Sequence, residues 1–294
     1  MLETLSQCPI CEGTTFTDQF TCKDYTVSKE KFTVVRCNSC KFLFTNPRPA
    51  EQNLGEYYQS EDYISHSNQS NNPINFIYKI ARQYTLKGKL KLVNTLQPNK
   101  GYILDIGCGT GHFLETCEAD GWKTTGVEPD ETARKYSINK VEHLYESIDQ
   151  VPDETFNVIS MWHVLEHIPN LNGFMKHIQR LLKSNGCFIV AVPNHESMDA
   201  QMYKEQWAAY DVPRHLYHFD QQSMQSLMAK YGMKIDAVKP MKLDSFYVSL
   251  LSETYKGSGV TKYAKSLING LKSNSYAKKN KNNYSSLIYI ITKS

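Results

Sequence analysis

The stretch Tyr102-Ile-Leu-Asp-Ile-Gly-Cys-Gly-Thr-Gly-His-Phe-Leu114 limits the fold more than any other part of the chain. Tyr102 to Asp105 make a short, largely apolar run, the pattern of a strand covered on both faces of a parallel sheet. Glycines follow at 107, 109 and 111, and His112-Phe113-Leu114-Glu115 opens a helix. A strand that turns sharply into a helix over glycines lets a ligand approach bare backbone, while the helix's free N–H groups point at it. A nucleotide-like ligand is therefore expected at this turn. A dinucleotide fingerprint would need glycine at the sixth position of G-x-G-x-x-G, and His112 stands there. That disfavours a nicotinamide-dependent dehydrogenase.

The chain has 294 residues, enough for one large domain or two smaller ones. A net charge of +3 is too small to argue by itself for nucleic acid or a membrane. No apolar run reaches membrane-spanning length, and Met1-Leu-Glu-Thr-Leu-Ser-Gln lacks the basic and hydrophobic segments of a secretion signal. A cytoplasmic location is expected. Of the eight cysteines, four form two C-x-x-C knuckles, Cys8-Pro-Ile-Cys11 and Cys37-Asn-Ser-Cys40. Each tight turn aims two thiolates at one point, and two knuckles complete a tetrahedral site for structural zinc. A thioredoxin-like pair would need a single C-x-x-C in a βαβ pattern. The span between the knuckles is longer than usual for a ribbon, so a loop or an extra strand must bulge out. Cys22, Cys108, Cys117 and Cys187 are unpaired; Cys22 competes as a ligand, and Cys117 and Cys187 read as small buried hydrophobes. A ribbon can also serve as a nucleic-acid or protein-binding module, but no Lys/Arg cluster accompanies these knuckles.

Strands are expected at 33–36 and 42–44 around the second knuckle, and Asn46-Pro-Arg-Pro49 ends the module. Residues 51–63 are helical and aromatic, 65–73 polar, and 75–96 an amphipathic helix with Ile77, Ile80, Ala81 and Tyr84 on one side. The second strand, 122–127, ends in Glu128-Pro-Asp130. A carboxylate at that tip accepts hydrogen bonds from ribose hydroxyls, and Asp130 suits a helix N-cap. Strands follow near 143–145, 156–161, 187–192 and 233–238. A helix over 171–182 is expected to close on a left-handed Gly186, and another over 221–231 to start at Asp220 and close on Gly232. The stretches 242–251 and 286–292 read as β-rich. Between them, 254–283 is rich in lysine with weak helical periodicity at 263–271, most simply a solvated face, with an acidic partner as the minority reading.

Asp105 with G-x-G-x-G resembles the first motif of the class I S-adenosylmethionine methyltransferases. Met161-Trp-His-Val-Leu-Glu-His167 resembles their fourth motif, and the run 181–194 is similar to theirs, with Ser184-Asn185-Gly186 where Pro-Gly is usual. Asp211-Val-Pro-Arg-His-Leu-Tyr-His-Phe219 resembles a motif of bacterial methyltransferases, some acting on sugars, that also carry an N-terminal zinc module. The resemblance implies an α/β fold with a doubly wound, seven-stranded, mostly parallel sheet. It divides the chain into a zinc ribbon (1–48), a helical linker or lid (49–100) and a methyltransferase domain (101–294) with a lid insertion at 195–219. S-adenosylmethionine would be held by Asp105, Gly107, Cys108, Gly109, Gly111, Glu128 and Pro129, with Ser147 and Ile148 at the adenine. Met161, Trp162 and His163 would approach the cofactor, and Tyr58 and Tyr63 would be lid contacts. His167 or His215 would be the base, with Arg214 for an acidic group on the acceptor, Tyr217 to orient it and Glu166 in a structural pairing. The acceptor is expected to be a small molecule. A ribbon-based binder of nucleic acid or protein with an inactive body is the alternative.

Overall fold

A computed structural model describes residues 1–58, 73–153 and 155–294, with the side chains of the first long helix from residue 82 onward. Tyr63, expected at the lid, lies outside the described residues. The N-terminal part holds strands β1 (Leu2–Glu3), β2 (Phe16–Lys23), β3 (Lys31–Cys37), β4 (Leu43–Thr45) and β5 (Arg48–Pro49). β2 is the extra strand that the long spacing between the knuckles requires. A 3-10 helix, Glu51–Tyr58, leads to helix α1 (Pro73–Leu96). Then follow β6 (Tyr102–Ile106), α2 (His112–Ala119), β7 (Lys123–Val127), α3 (Glu131–Ser137), β8 (His143–Tyr145) and β9 (Phe156–Trp162). The rest comprises α4 (Leu171–Leu181), β10 (Leu182–Pro193), α5 (Met198–Tyr203), β11 (Tyr217–His218), α6 (Gln221–Lys230), β12 (Met233–Pro240), α7 (Asp244–Tyr255), α8 (Lys262–Lys279) and β13 (Ser286–Lys293).

The central sheet has seven strands in the order β12-β13-β10-β9-β6-β7-β8. β13 runs antiparallel to both β10 and β12, while the pairs β10–β9, β9–β6, β6–β7 and β7–β8 are parallel. The chain leaves β6 through β7 and β8 on one side and returns to β9 on the other. This reversal opens a crevice at the carboxyl ends of β6 and β9, where open α/β sheets bind ligands. Both faces are buried: Leu104, Ile159 and Phe188 on one and Ile103, Val158 and Ile189 on the other are fully covered, each contributing about 1.5–3 kcal/mol by leaving water.

The N-terminal part and the body share one core. A second sheet has the order β11-β4-β3-β2, so its outer strand comes from the 195–219 stretch. Phe42 packs on Tyr217 and Phe219 at ring-centroid distances of 6.0 and 5.5 Å. The stretch expected as a lid is thus packed into the body: Trp207, Tyr210, Leu216 and Phe219 are buried, and the Trp207 indole donates to Asp199. Its aromatic side chains gain more from that burial than from covering a cleft.

Three local expectations fail. The 242–251 stretch, read as β-rich, forms the start of α7. Its Ser245, Ser249 and Ser252 are buried where α8 packs with Ser266, Gly270, Ser273 and Ala277. The contact stripe is made of small residues, so apolar periodicity did not mark it. Gly186 is not a left-handed cap; α4 ends at Leu181 and the backbone runs directly into β10. Glycine is needed there because a Cβ would meet the Phe156 carbonyl at 2.9 Å. Tyr84, placed on the inner side of α1, is 72% exposed. Asp130, Asp220 and Gly232 hold the capping positions expected of them.

Candidate active site

The four knuckle cysteines converge. Cys8 Sγ lies 3.6 Å from Cys40 Sγ, Cys11 Sγ lies 3.5 Å from Cys37 Sγ, and all four sulfurs lie within 4.8 Å of one another. Sulfurs at the corners of a tetrahedron with ~2.3 Å metal bonds stand about 3.8 Å apart, so this donor set fits one soft divalent ion. Cys22 is buried in β2, outside the cluster.

At the end of β6 the chain turns onto the tip of β7. The N–H groups of Gly107 and Cys108 donate to the Val127 carbonyl at 2.7 and 3.1 Å, and the Gly109 N–H donates to Glu128 Oε2 at 2.8 Å. Gly107 and Gly111 both have positive φ and no room: a Cβ would lie 2.5 Å from Val164 Cγ2 and 2.9 Å from Ser137 Cβ. At Gly109 a Cβ would meet nothing within 4 Å. The loop therefore packs tightly at its two outer glycines and opens at the middle one, which suits an approaching ligand. Glu128 also accepts from the Asp130 N–H at 2.9 Å, and burial pushes its carboxyl above the usual range. This open backbone facing a buried carboxylate fits the adenosine part of S-adenosylmethionine. Pro129 follows on the surface, and Cys108 is buried against Gly126. Ser147 caps the 3-10 turn Ile148–Gln150, with Ile148 buried beneath it.

Asp105, at the end of β6, is buried and accepts from Ser160 Oγ at 2.6 Å. Burial pushes it up to about 7 against the opposing pull of Ser160 and Lys89. Lys89, from α1, places its ammonium 4.2 Å from the Trp162 ring centroid and 5.7 Å from that of Phe113. Burial lowers it to about 8. Of the three residues expected to approach the cofactor, Met161 is fully buried, because its strand position puts it in the core with Ile106, Ile159 and Val190. Trp162 and His163 are half-buried. His163 has φ +59 and sits between two carboxylates, with Nε2 2.9 Å from Asp244 and Nδ1 3.4 Å from Glu166. Burial alone would lower this imidazole, but Asp244 and Glu166 raise it to about 10.

The turn after β9 carries His167 toward His215, their rings edge to face with centroids 4.6 Å apart. His167 Nδ1 lies 3.1 Å from the Arg214 carbonyl and 2.9 Å from the Tyr58 hydroxyl. His215 Nδ1 lies 2.8 Å from the Ala209 carbonyl. A carbonyl can only accept, so each Nδ1 carries the proton and each Nε2 is left with its lone pair. One ligating atom from each histidine and a carboxylate oxygen of Glu166 lie within 4.8 Å of one another. Glu166 is fully buried and neither of its oxygens accepts a hydrogen bond, its ion pair with His163 aside. Burial, with His215 next, drives His167 down to about 4. Asp211 stands 4.0 Å from His215 Nε2.

Both candidate bases are thus brought together, and the Tyr58 hydroxyl meets His167. Arg214 is not open to an acceptor: it pairs with Asp211 at 2.6 Å and Asp24 at 3.1 Å, and donates to the Tyr57 carbonyl. Tyr217 is also committed, donating to the Pro169 carbonyl and accepting from Arg48. An arginine buried beside carboxylates is held by them, which the local spacing of 211–219 could not show. Lys89, Ser160 and Asp244 were missed: Ser160 sits in β9 just before the 161–167 motif, and Lys89 and Asp244 reach the site from distant elements.

Residues 78–238 match the family model described as a methyltransferase domain. A ubiquinone biosynthesis O-methyltransferase of Bradyrhizobium diazoefficiens is 29% identical over 100 residues, covering 31% of this chain and 40% of that protein. One from Coxiella burnetii is 28% identical over 148 residues, covering 47% of this chain and 57% of its own length. The chain spans 35% to 57% of the length of the first curated relatives it matches. Among solved structures, magnesium protoporphyrin IX methyltransferase from Synechocystis PCC 6803 with bound SAH superposes with a TM-score of 0.55 at 11% identity, over 83% of this chain and 100% of that one. That likeness is one of fold. With the family model spanning more than half of its length and laid over the glycine loop, Glu128 and the β9 turn, the chain belongs to the class I S-adenosylmethionine-dependent methyltransferases.

Proposed function

We propose that this enzyme methylates a small-molecule acceptor, with His215 taking the proton that the acceptor gives up. S-adenosylmethionine supplies, when bound, a methyl group made electrophilic by its sulfonium. Gly109 and Glu128 would hold its adenosine part, Ser147 and Ile148 would flank the adenine, and Asp105 would face its amino-acid end. The protein's remaining task is to fix the acceptor in line and to remove a proton.

The observation that carries this reading is the convergence of two imidazoles and a buried carboxylate at the turn after β9, whose Val164 packs against Gly107 of the glycine loop. A proton arriving at His215 Nε2 makes an imidazolium 4.0 Å from Asp211, with the Glu166 carboxylate in the same cluster, and both acids stabilise its charge. His167 is held near 4 and stays neutral, so it serves better to orient the acceptor. The relatives' names support an oxygen acceptor, and a hydroxyl on a sugar or related metabolite suits a neutral base. At the cysteine cluster we infer a structural zinc, since four thiolates leave no open position for substrate.

Titration calorimetry with S-adenosylmethionine, followed by product analysis against hydroxyl-bearing acceptors, tests the reading. Heat with the methyl donor but no product with any small acceptor, together with retention of RNA in a gel shift at physiological salt, would favour the alternative of a ribbon-based binder. No heat with the donor would end both.

A further inference from the structure

Helix α8 is built inside out. Its face toward α7 and α5 consists of Ser266, Gly270, Ser273 and Ala277, all buried, with the Ser273 hydroxyl donating to Asp199 of α5. That contact is so close that a Cβ on Gly270 would fall 2.5 Å from the Phe246 ring. The large apolar residues point the other way: Tyr263, Leu267, Ile268 and Leu271 are 55%, 57%, 50% and 56% exposed, and Val260 just before the helix is 85% exposed. Spacings of three, four and seven put them on one stripe of a helix with 3.6 residues per turn. A solvated lysine face does not need such a stripe. A helix whose packed face is made of small residues would be expected to carry polar groups outward.

The charge around the stripe has one sign. Lys265, Lys272 and Lys279 recur every seven residues along its border, and from Lys256 to Lys281 there are seven lysines and no Asp or Glu. The nearest preceding acid, Glu253, is buried and meets Lys265 at 3.7 Å. A stripe of leucine, isoleucine and tyrosine edged by lysine matches the boundary between acyl chains and anionic headgroups. Two other occupants fit less well. In a symmetric dimer the same lysines would face one another across the interface. Nucleic acid would use the lysines and leave the aliphatic side chains without a role.

We propose that the α8 face docks on an anionic phospholipid surface, holding the enzyme at the membrane boundary without crossing it. No helix among the described residues is long and apolar enough to span a bilayer. The face is also tied to the active site, because α8 packs along α7 and the first residue of α7 is Asp244, which holds His163. This inference does not depend on the acceptor or on which histidine is the base.

Flotation of the full chain with phosphatidylcholine vesicles, with and without phosphatidylglycerol, tests it. Binding is expected only to the anionic vesicles and is expected to be released by high salt. Lys272→Gln, Lys278→Gln and Lys279→Gln together should weaken it about a hundred-fold. Leu267→Glu with Leu271→Glu should abolish it, and neither set touches the buried side of α8. Leu267→Trp gives a second readout, since its emission should shift to shorter wavelength only with anionic vesicles. The proposal is overturned if the chain ignores both vesicle types or binds both equally. It is also overturned if Leu267→Glu converts a dimer to a monomer in light scattering, or if the face retains an oligonucleotide instead.

Discussion

Asp244, the first residue of α7, holds His163 Nε2 at 2.9 Å and so ties the loop beyond β12 to the end of β9. The pair brackets the crevice between β6 and β9. It also fixes the position from which Glu166 meets the other nitrogen of the same imidazole.

That arrangement has a pH signature. The folded protein holds His163 up to about 10, against ~6.5 in an unfolded chain. Its contribution to stability is therefore complete below about pH 6.5 and is lost as pH rises toward 10. The difference in unfolding free energy between the wild type and His163→Asn should be constant at low pH and shrink steadily above neutrality. A difference that grew with pH would contradict the pairing.

His167 behaves in the opposite sense. Burial lowers it to about 4 in the folded state, so the unfolded chain binds the extra proton first. Stability should fall as pH drops from about 6.5 to 4, by up to ~1.4 kcal/mol per pH unit from this group. His167→Asn should flatten the acid limb of the melting curve by that amount.

Replacing His215 by Asn keeps a group able to donate to the Ala209 carbonyl but removes the base. Turnover should fall about 10²- to 10⁴-fold, with affinity for S-adenosylmethionine unchanged by calorimetry. His167→Asn should raise the acceptor's KM more than it lowers kcat. Equal losses of kcat in both variants would mean that the two imidazoles share the proton.

Glu128→Gln leaves the shape of the β7 tip but removes its charge. A hydrogen bond to a charged group is worth about 1.5–3 kcal/mol, so affinity for the methyl donor should drop about 10- to 100-fold. An unaltered dissociation constant would move the ribose away from this carboxylate.

The ribbon should matter for catalysis without touching substrate. In β4, Thr45 donates through its hydroxyl to the His215 carbonyl at 2.9 Å and through its N–H to the Leu216 carbonyl at 3.0 Å. Cys37→Ser, or removal of metal by a chelator, should loosen β4 and lower turnover together with melting temperature. Metal analysis of the wild type should return one zinc per chain, and full activity in the metal-free protein would refute the coupling.

The sequence by itself determined the features that depend on neighbours along the chain. The glycine turn needs three glycines within five residues, the Glu128 tip needs one strand and its end, and each knuckle needs two cysteines three apart. Their spacing pointed to a nucleotide-like ligand and the metal cluster, and the family resemblance that these motifs carry pointed to the fold and the methyl donor. Only the tertiary structure decided the rest, because distant elements must meet for it to exist. His167 and His215 become a pair only when the β9 turn packs against the stretch before β11. Arg214 turns inward once Asp24 arrives from the ribbon, and Met161 is taken by the core that β9 buries. α8 shows its apolar side to solvent only because α7 accepts the small residues opposite. A residue's type fixes what chemistry it can do; the groups that fold against it fix whether that chemistry faces a ligand, a partner charge or the core.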